Sequence, residues 1–311
     1  MVVLLGFFAI MRFAAWDAVE PFAVVNALTM VVYLPAWAVM VGAATTRRWG
    51  LCGVATLIVA AQLAYVAPEL LAATPVPNWA RRAPILRLFD ANVDKSKRFA
   101  DGYSPAIERY HPDVVTLEEF TPGSFRRMRT SGVLAHFPYS CSAPRYGPSG
   151  FLVASRFPMS HCRVRTVEWK DEPTPYMVSV TVHARGGPVQ LQVVHTLAPL
   201  PAYWNEWVAA LNAVDKVVQA ESRRDLLMVG DFNATWDNRG FAVLLSDGVI
   251  DAAAARGEPF AMTWPNGALV PPFVRIDHVL TGHGLCVTKL NDYSGFGSDH
   301  HYLTATIAVH R

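Results

Sequence analysis

The sequence predicts an α/β layered domain preceded by an N-terminal transmembrane helical region. Three observations lead there. Two charge-free apolar runs near the N-terminus have the length of bilayer spans. The remainder alternates short apolar runs with turns and helical stretches, and polar side chains gather where those runs end.

The 311-residue chain is 52% hydrophobic, and its mean hydropathy of +0.22 is high for a soluble enzyme. The excess lies in the first 75 residues, where Arg12, Asp17, Glu20, Arg47, Arg48 and Glu69 are the only charges and no histidine occurs. No charged residue stands between Pro21 and Thr46, nor between Trp49 and Pro68, and each run meets the roughly 20 residues that a helix needs to cross the hydrocarbon core. The Arg47-Arg48-Trp49 turn between them makes a helical hairpin. Met1–Trp16 is apolar but short and carries Arg12, so residues 1–74 are expected to hold two or three transmembrane helices. A secretory signal fits poorly, since no basic n-region or small-residue cleavage site precedes the next run.

Such a region implies a multi-pass protein of the cell membrane, with the lipid bilayer as its partner. Basic residues favour the cytoplasmic side, so Arg47-Arg48 put the domain that follows outside, while Arg81-Arg82 pull the other way. Pro75 and Pro77 end the helix and open a linker over residues 75–82. A catalytic domain is expected over residues 83–311.

Strands are expected at Ile85–Phe89, Val114–Leu117, Phe151–Ala154, Met177–Val182, Val189–Val194, Leu226–Val229, Ile276–Leu280 and Leu303–Val309. Trp204, Trp207, Val208, Leu211, Val214 and Val218 recur at helical spacing and predict a helix packed by one face. Of 27 basic and 25 acidic residues, three of each lie in the first 75, so the rest of the chain is nearly neutral. Duplex-gripping proteins usually carry a basic excess, which makes nucleic acid the less favoured partner. The four cysteines form no zinc spacing. Cys141 and Cys162 flank an expected strand pair, and either a disulfide or two buried thiols fits them.

Five strand-like runs end in polar groups: at Asn92, at Glu118-Glu119, at His195, at Gly230-Asp231-Phe232-Asn233, and at Ser298-Asp299-His300-His301 before the last strand. Burying any of these unpaired costs several kcal/mol. Their gathering makes sense around a cation and a phosphate.

Asn92, the Asp113–Glu119 run, Gly150–Pro158, Gly230–Asn233, Arg275-Ile276-Asp277-His278 and Ser298-Asp299-His300 resemble, in order, the motifs of the endonuclease/exonuclease/phosphatase superfamily over roughly residues 83–311. The resemblance implies a four-layer α/β/β/α sandwich with the active site at one end. It further implies Mg²⁺ or Mn²⁺ held by Asn92 and Glu119, with Asp299 facing the metal or its water. Asp231 would orient or deprotonate the attacking water, Asn233 and His195 would contact phosphoryl oxygens, and His300 would exchange protons with Asp277 as its partner. Glu118, where the family usually has Gln, reads as a solvated neighbour, and His278 as structural. Trp204, Trp207, Trp236, Trp264 and Phe296 could rim the site for a lipid tail, although Trp204 and Trp207 suit packing better.

Apolar spans ahead of such a domain also resemble bacterial membrane phosphatases linked to teicoplanin resistance. That likeness implies a membrane-embedded phospholipid or polyprenyl pyrophosphate as substrate and in-line attack of water on phosphorus. A phosphodiesterase of DNA or sphingomyelin is the alternative within the enzyme class. A non-catalytic binding module is the alternative outside it, and the intact motif set speaks against that.

Overall fold

A computed structural model describes residues 1–94, 102–221 and 224–310. The N-terminal part is helical: α1 (Val2–Ala14), α2 (Glu20–Ala27), α3 (Thr29–Val32), α4 (Leu34–Thr45) and α5 (Trp49–Leu70). Of these, α5 alone is long and apolar enough to cross a bilayer by itself. The first run predicts an unbroken helix, but the chain bends by 72° between α2 and α3. Polar side chains occupy the bend. Thr29 Oγ1 donates to the Asn26 carbonyl, and Gln62 of α5 donates to the carbonyls of Thr29 and Met30. Pro35 in the first turn of α4 cannot supply the amide that would continue the helix through Tyr33. A neighbouring helix thus satisfies the backbone groups that the break exposes, the condition for a broken helix in an apolar setting.

The rest of the chain is α/β. In order it forms β1 (Ile85–Asn92), α6 (Ser104–Tyr110), β2 (Val114–Glu118), α7 (Pro122–Thr130), β3 (Tyr139–Ala143), β4 (Phe151–Ser155), β5 (Met159–Trp169), β6 (Glu172–Ala184) and β7 (Gly187–His195). There follow α8 (Trp204–Ala220), β8 (Leu226–Asp231), α9 (Arg239–Ser246), β9 (Ile250–Asp251), α10 (Ala252–Ala255), β10 (Asp277–Thr281), β11 (Leu285–Ser294) and β12 (His301–Val309).

Two mixed six-stranded sheets result, ordered β11-β12-β1-β2-β4-β3 and β5-β6-β7-β8-β10-β9. Each has one parallel pair, β1 with β2 and β7 with β8. The inner faces meet in one apolar core that includes Leu86, Leu88, Val114, Leu191, Val193, Leu227, Val229 and Val279. Helices flank the outer faces. Trp207, Leu211 and Val214 of α8 pack on Met177, Val194 and Met228, while Ile107 and Met128 pack with Phe89, Val115 and Leu152. Cys141 of β3 and Cys162 of β5 form a disulfide that joins the edge strands of the two sheets.

The helical part is bonded to the α/β part. Buried Arg12 of α1 pairs with Asp237, and the indole of Trp16 donates to the Asp237 carbonyl. Asp17 accepts from the Asn238 side chain and the Arg239 amide. At the end of α5, Glu69 pairs with Arg275. Arg81 lies in a short 3-10 turn, Asn78–Arg81, whose Trp79 ring packs 4.7 Å from His310, so the Arg81-Arg82 pair adjoins the folded sheet.

β7 and β8 approach closely at Gly230. Its φ is +117°, and a Cβ there would sit 2.2 Å from the Val194 carbonyl oxygen. Gly230→Ala is expected to lose about 3 kcal/mol of stability, read as a lower denaturation midpoint. An unchanged midpoint would contradict this packing.

Candidate active site

Side chains alternate along a strand, so every second residue of an inner-facing strand enters the inter-sheet core. Along β1 that series runs Leu86, Leu88, Asp90, Asn92, and along β2 it runs Val114, Thr116, Glu118. Along β7 it ends Leu191, Val193, His195, along β8 Leu227, Val229, Asp231, and β10 begins at Asp277 before Val279. The core therefore turns polar at one end on both sheets at once. Register aligns the polar ends. Asn92 lies opposite Glu118, and His195 and Asp277 flank Asp231 from either side.

One oxygen, Asp231 Oδ2, is the focus. Asn92 Nδ2 donates to it at 3.0 Å and Asn233 Nδ2 at 3.2 Å. His195 Nε2 stands 3.5 Å away and His300 Nε2 3.6 Å. Asp231 Oδ1 accepts from the Asn233 amide at 2.8 Å, an Asx turn in which Asn233 adopts φ +46°. Asn tolerates that left-handed conformation better than most residues. The Asn233 amide group also donates to the Thr196 carbonyl at 2.8 Å, which fixes its orientation.

The two histidines are held differently. His195 Nδ1 donates to the Pro148 carbonyl at 2.9 Å, which leaves Nε2 facing Asp231 and, at 3.8 Å, Glu119 Oε1. His300 Nδ1 contacts both oxygens of Asp277, at 3.0 and 3.1 Å. Ser298 Oγ accepts from the His300 amide and donates to the Asn92 carbonyl, tying the last motif loop to β1. Burial alone would lower the His300 pKa, but the Asp277 and Asp231 carboxylates override it and raise it to about 10. Its imidazolium is thus the favoured form at neutral pH.

Glu118 is not solvated as expected. It is fully buried on the inter-sheet face, beside Gly230. Glu119 should then turn to the opposite face, but its φ of +52° reverses the alternation and brings it to the same mouth near His195. Asp90, which the motif reading did not single out, is buried beneath Asn92 and accepts from Thr116 Oγ1. Burial pushes Asp90 up to about 7 and Glu118 well above the usual carboxylate range, with neighbouring carboxyls adding to both shifts. The alternation Leu86-x-Leu88-x-Asp90-x-Asn92 was the signal that could have found Asp90.

Asp299 borders the site, with Oδ1 3.8 Å from His300 Nε2. It is half-exposed at the rim, where Trp264 Nε1 donates to its carboxylate at 3.0 Å and the Asn266 amide to its carbonyl at 2.6 Å. The expected aromatic rim is not formed as a group. Trp207 is buried and donates to the Asn233 carbonyl, Trp236 donates to Asp251, and Phe296 packs on Tyr103 and Tyr302. His278 donates from one ring nitrogen to the Ala234 carbonyl and contacts Asp251 with the other, a structural bridge behind the site.

The buried oxygens suit a divalent cation. Asp90, Glu118, Asp231 and Asp277 are all buried, and among the described residues no Lys or Arg pairs with any of them. Hard oxygen donors with such excess negative charge match Mg²⁺ or Mn²⁺ chemistry. Asp231, Asp277 and His300 are close enough together to bind an ion. Asp277 also accepts from His300 Nδ1, a bond that a carboxylate can keep while it coordinates an ion through its remaining lone pairs. Asn92 and Glu119 lie at the same mouth, where Asn92 Oδ1 accepts from the Asp94 amide and Glu119 Oε1 stands 3.8 Å from His195 Nε2.

A sequence profile of the endonuclease/exonuclease/phosphatase family matches residues 86–300. The chain belongs to that family. Enzymes of the endonuclease/exonuclease/phosphatase family depend on divalent metals and hydrolyse phosphate ester bonds, and this chain is such a hydrolase. Similar solved structures include D. rerio TDP2 complexed with a single-strand DNA product, at 17% identity and TM-score 0.60, over 72% of this chain and 99% of that one. The endonuclease/exonuclease/phosphatase from Beutenbergia cavernae is 17% identical with TM-score 0.57, over 73% of this chain and 72% of that one. The 3′ phosphatase NExo from Neisseria, bound to a product DNA hairpin, is 17% identical with TM-score 0.55, over 71% and 98%. At such identity these likenesses concern the fold. No curated protein matches the chain.

His300 also predicts a pH dependence. A folded pKa near 10 against about 6.5 unfolded means that its stabilising effect is complete below pH 6.5 and is lost toward pH 10. In chelator-treated protein, the difference in Tm between the native chain and His300→Gln is expected to shrink across that interval. A constant difference would show that the two carboxylates do not hold the imidazolium.

Proposed function

We propose that this hydrolase is a membrane-anchored, Mg²⁺- or Mn²⁺-dependent phosphohydrolase acting on a phosphate ester or pyrophosphate of a membrane-embedded lipid. The chemistry is carried by the ring of Asn92, Asn233, His195 and His300 around Asp231 Oδ2. The membrane setting is carried by α5 and by the direct bonding of the apolar helices to the loop that follows Asn233.

Asp231 is the carboxylate that orients the attacking water and accepts its proton. The Asn92 and Asn233 amides hold that carboxylate in place, and the Asn233 Nδ2–H on Asp231, oriented by the bond to Thr196, can be shared with a phosphoryl oxygen. His195 Nε2, oriented through Nδ1 by the Pro148 carbonyl, faces the same space for a second phosphoryl oxygen. His300, an imidazolium oriented by Asp277, offers positive charge and a proton at Nε2 as negative charge builds in the transition state. Asn92 and Glu119 would hold the divalent cation with Asp299 facing it, and the cation would supply Lewis-acid polarisation of the phosphate.

Three features support a domain outside the cytoplasm. The Arg47-Arg48 turn lies at the opposite end of α5 from the Glu69–Arg275 pair, so basic residues and catalytic domain fall on different sides of a span. Cys141 and Cys162 are bridged, as in proteins of oxidising compartments. Arg81, which pulls toward the opposite orientation, lies in the Asn78–Arg81 turn against the sheet. A polyprenyl pyrophosphate carrier is the favoured substrate, following the likeness in architecture to the teicoplanin-resistance phosphatases.

A second reading, a DNA phosphodiesterase, draws on the DNA-bound TDP2 and NExo structures. The near balance of basic and acidic residues weighs against it.

One comparison separates the readings. Full-length protein in vesicles is assayed for phosphate release from a polyprenyl pyrophosphate, for sphingomyelin cleavage and for plasmid nicking, each with Mg²⁺, Mn²⁺ or chelator. Metal-dependent phosphate release is expected, with Asp231→Asn lowering kcat by about 10³-fold and Glu119→Gln raising the metal concentration required. Nicking without release from lipid would favour the second reading, and chelator-resistant turnover would remove the metal-dependent one.

A further inference from the structure

Between α10 and β10 the segment Pro259–Val274 carries no ionisable side chain, although Arg256, Glu258, Arg275 and Asp277 flank it. Its base is rigid. Trp264 and Val274 exchange backbone hydrogen bonds of 3.0 and 3.1 Å, and Thr263 Oγ1 accepts from the amides of Ile276 and Asp277. Asn266 donates to the carbonyls of Gly295 and Ser298 and accepts from Ser294 Oγ, while Trp264 and the Asn266 amide hold Asp299. The base is thereby fastened to the loop that presents His300.

The tip is the opposite. Leu269 is 108% exposed and Val270 50%, while Phe260, before the base, is 71% exposed. Pro271 and Pro272 stiffen the return, so the tip projects instead of folding back over its own apolar groups. Leu269 and Val270 thus present adjacent aliphatic side chains on a charge-free tip, a surface that an apolar partner suits.

The same segment reaches the N-terminal helices on its other side. Met262, Phe273 and Val274 line a small cavity together with Ala27, Met30 and Glu69. Those helices present apolar side chains outward, among them Phe13, Leu57 and Leu63. The loop therefore packs on the helix bundle on one side and on the mouth of the site on the other, and its tip, like the outward faces of the helices, is apolar and exposed. A bilayer that surrounds the helices is the occupant that this attachment to the bundle favours. Neutral side chains, prolines and an amphipathic Trp264 at the base suit the headgroup boundary.

We infer that the Phe260–Val274 loop is an interfacial wedge that enters the bilayer beside the helices and holds Asp299 and His300 at headgroup level, where the phosphate of a lipid would meet them. This inference rests on the membrane-anchored reading above and adds the surface that selects a lipid over a soluble phosphate.

The test uses full-length protein with Cys52 and Cys286 changed to Ser and a single reporter cysteine, at Leu269 (L269C) or Leu57 (L57C), carrying an environment-sensitive fluorophore. The protein is reconstituted into vesicles containing quencher-labelled phospholipid. Quenching at both positions is expected. Quenching at 57 without quenching at 269 overturns the wedge while leaving the anchoring intact, and quenching at neither overturns both. In parallel, the double variant Leu269→Asp with Val270→Asp is expected to lose at least tenfold in turnover of vesicle-embedded polyprenyl pyrophosphate while keeping turnover of a short-chain soluble pyrophosphate. Equal turnover of the two substrates, or a dimer of the native chain that the double variant converts to monomer, assigns the tip elsewhere and overturns the inference. If the native chain turns over neither substrate while position 269 is quenched, the catalytic reading fails and the wedge stands.

Discussion

Four carboxyl groups that no Lys or Arg pairs with among the described residues, at one end of an apolar inter-sheet core, are the constraint around which this molecule is arranged. Asp90, Glu118, Asp231 and Asp277 project from four strands into a space closed by Leu88, Val114, Val229 and Val279. Removing such charges from water is costly, and each raises its neighbours' tendency to hold a proton. Two imidazoles and two amides offset part of that charge. His300 is drawn to the imidazolium form, and Asn92 and Asn233 turn their amide groups to Asp231. The remaining imbalance is what a divalent cation would relieve, so the family's dependence on metal follows from the same electrostatics that hold the histidine in place.

The arrangement of strands makes the cluster possible. In each sheet the parallel pair sends two chain ends to the same edge, β1 with β2 and β7 with β8. Loops leaving parallel strands at one edge must reach a helix before returning, so their first residues are free to carry function. Two left-handed residues exploit this freedom. Glu119 at φ +52° departs from strand geometry directly after the last paired position and Asn233 at φ +46° one residue further on, and each brings a second polar group beside the first. Such conformations cost about 1–3 kcal/mol and persist where the surrounding bonds over-determine them. For Asn233 those bonds are the three it makes to Asp231 and Thr196.

Much of this was legible in the sequence. Seven of the eight apolar runs read as strands fall wholly within strands and the eighth, Ile276–Leu280, starts one residue before β10, because inner strands of a covered sheet are apolar on both faces. The missed strands are instructive. β3 and β5 are edge strands, and β5 carries exposed Arg163 and Glu168 and half-buried Arg165, so its pairing leaves no apolar run to detect. β11, also an edge, mixes Lys289, Asn291 and Asp292 into its pattern. The polar ends of the strands were visible as motifs, but which of Glu118 and Glu119 is solvated depends on one backbone angle that adjacency in sequence cannot reveal. Cys141 and Cys162 remained open for a similar reason. They lie on edge strands of different sheets, and nothing local says that those edges face each other. The apolar N-terminal runs gave helices, while the bend near Leu28 depends on Gln62, more than thirty residues away.

The helical part joins the α/β part through charges, where apolar packing alone could have served. Glu69 of α5 pairs with Arg275, Asp251 lies 3.9 Å from Arg275, and Asp251 contacts His278, whose other nitrogen bonds the Ala234 carbonyl. A chain of partnered groups therefore runs from the end of α5 to the residue that follows Asn233. Arg12 and Asp17 reach Asp237, Asn238 and Arg239 just beyond it. Buried ion pairs contribute little net stability, since desolvation offsets much of their attraction, but each bond has one geometry whereas apolar surfaces can slide. Nearly all of these contacts fall on Ala234–Arg239 or Arg275–His278, the segments next to Asn233 and around Asp277. Any tilt of the helices against the domain would pull on those two segments before it reached any other part of the sandwich. The orientation of the helices and the placement of Asp231 and Asp277 are thus set by a single network.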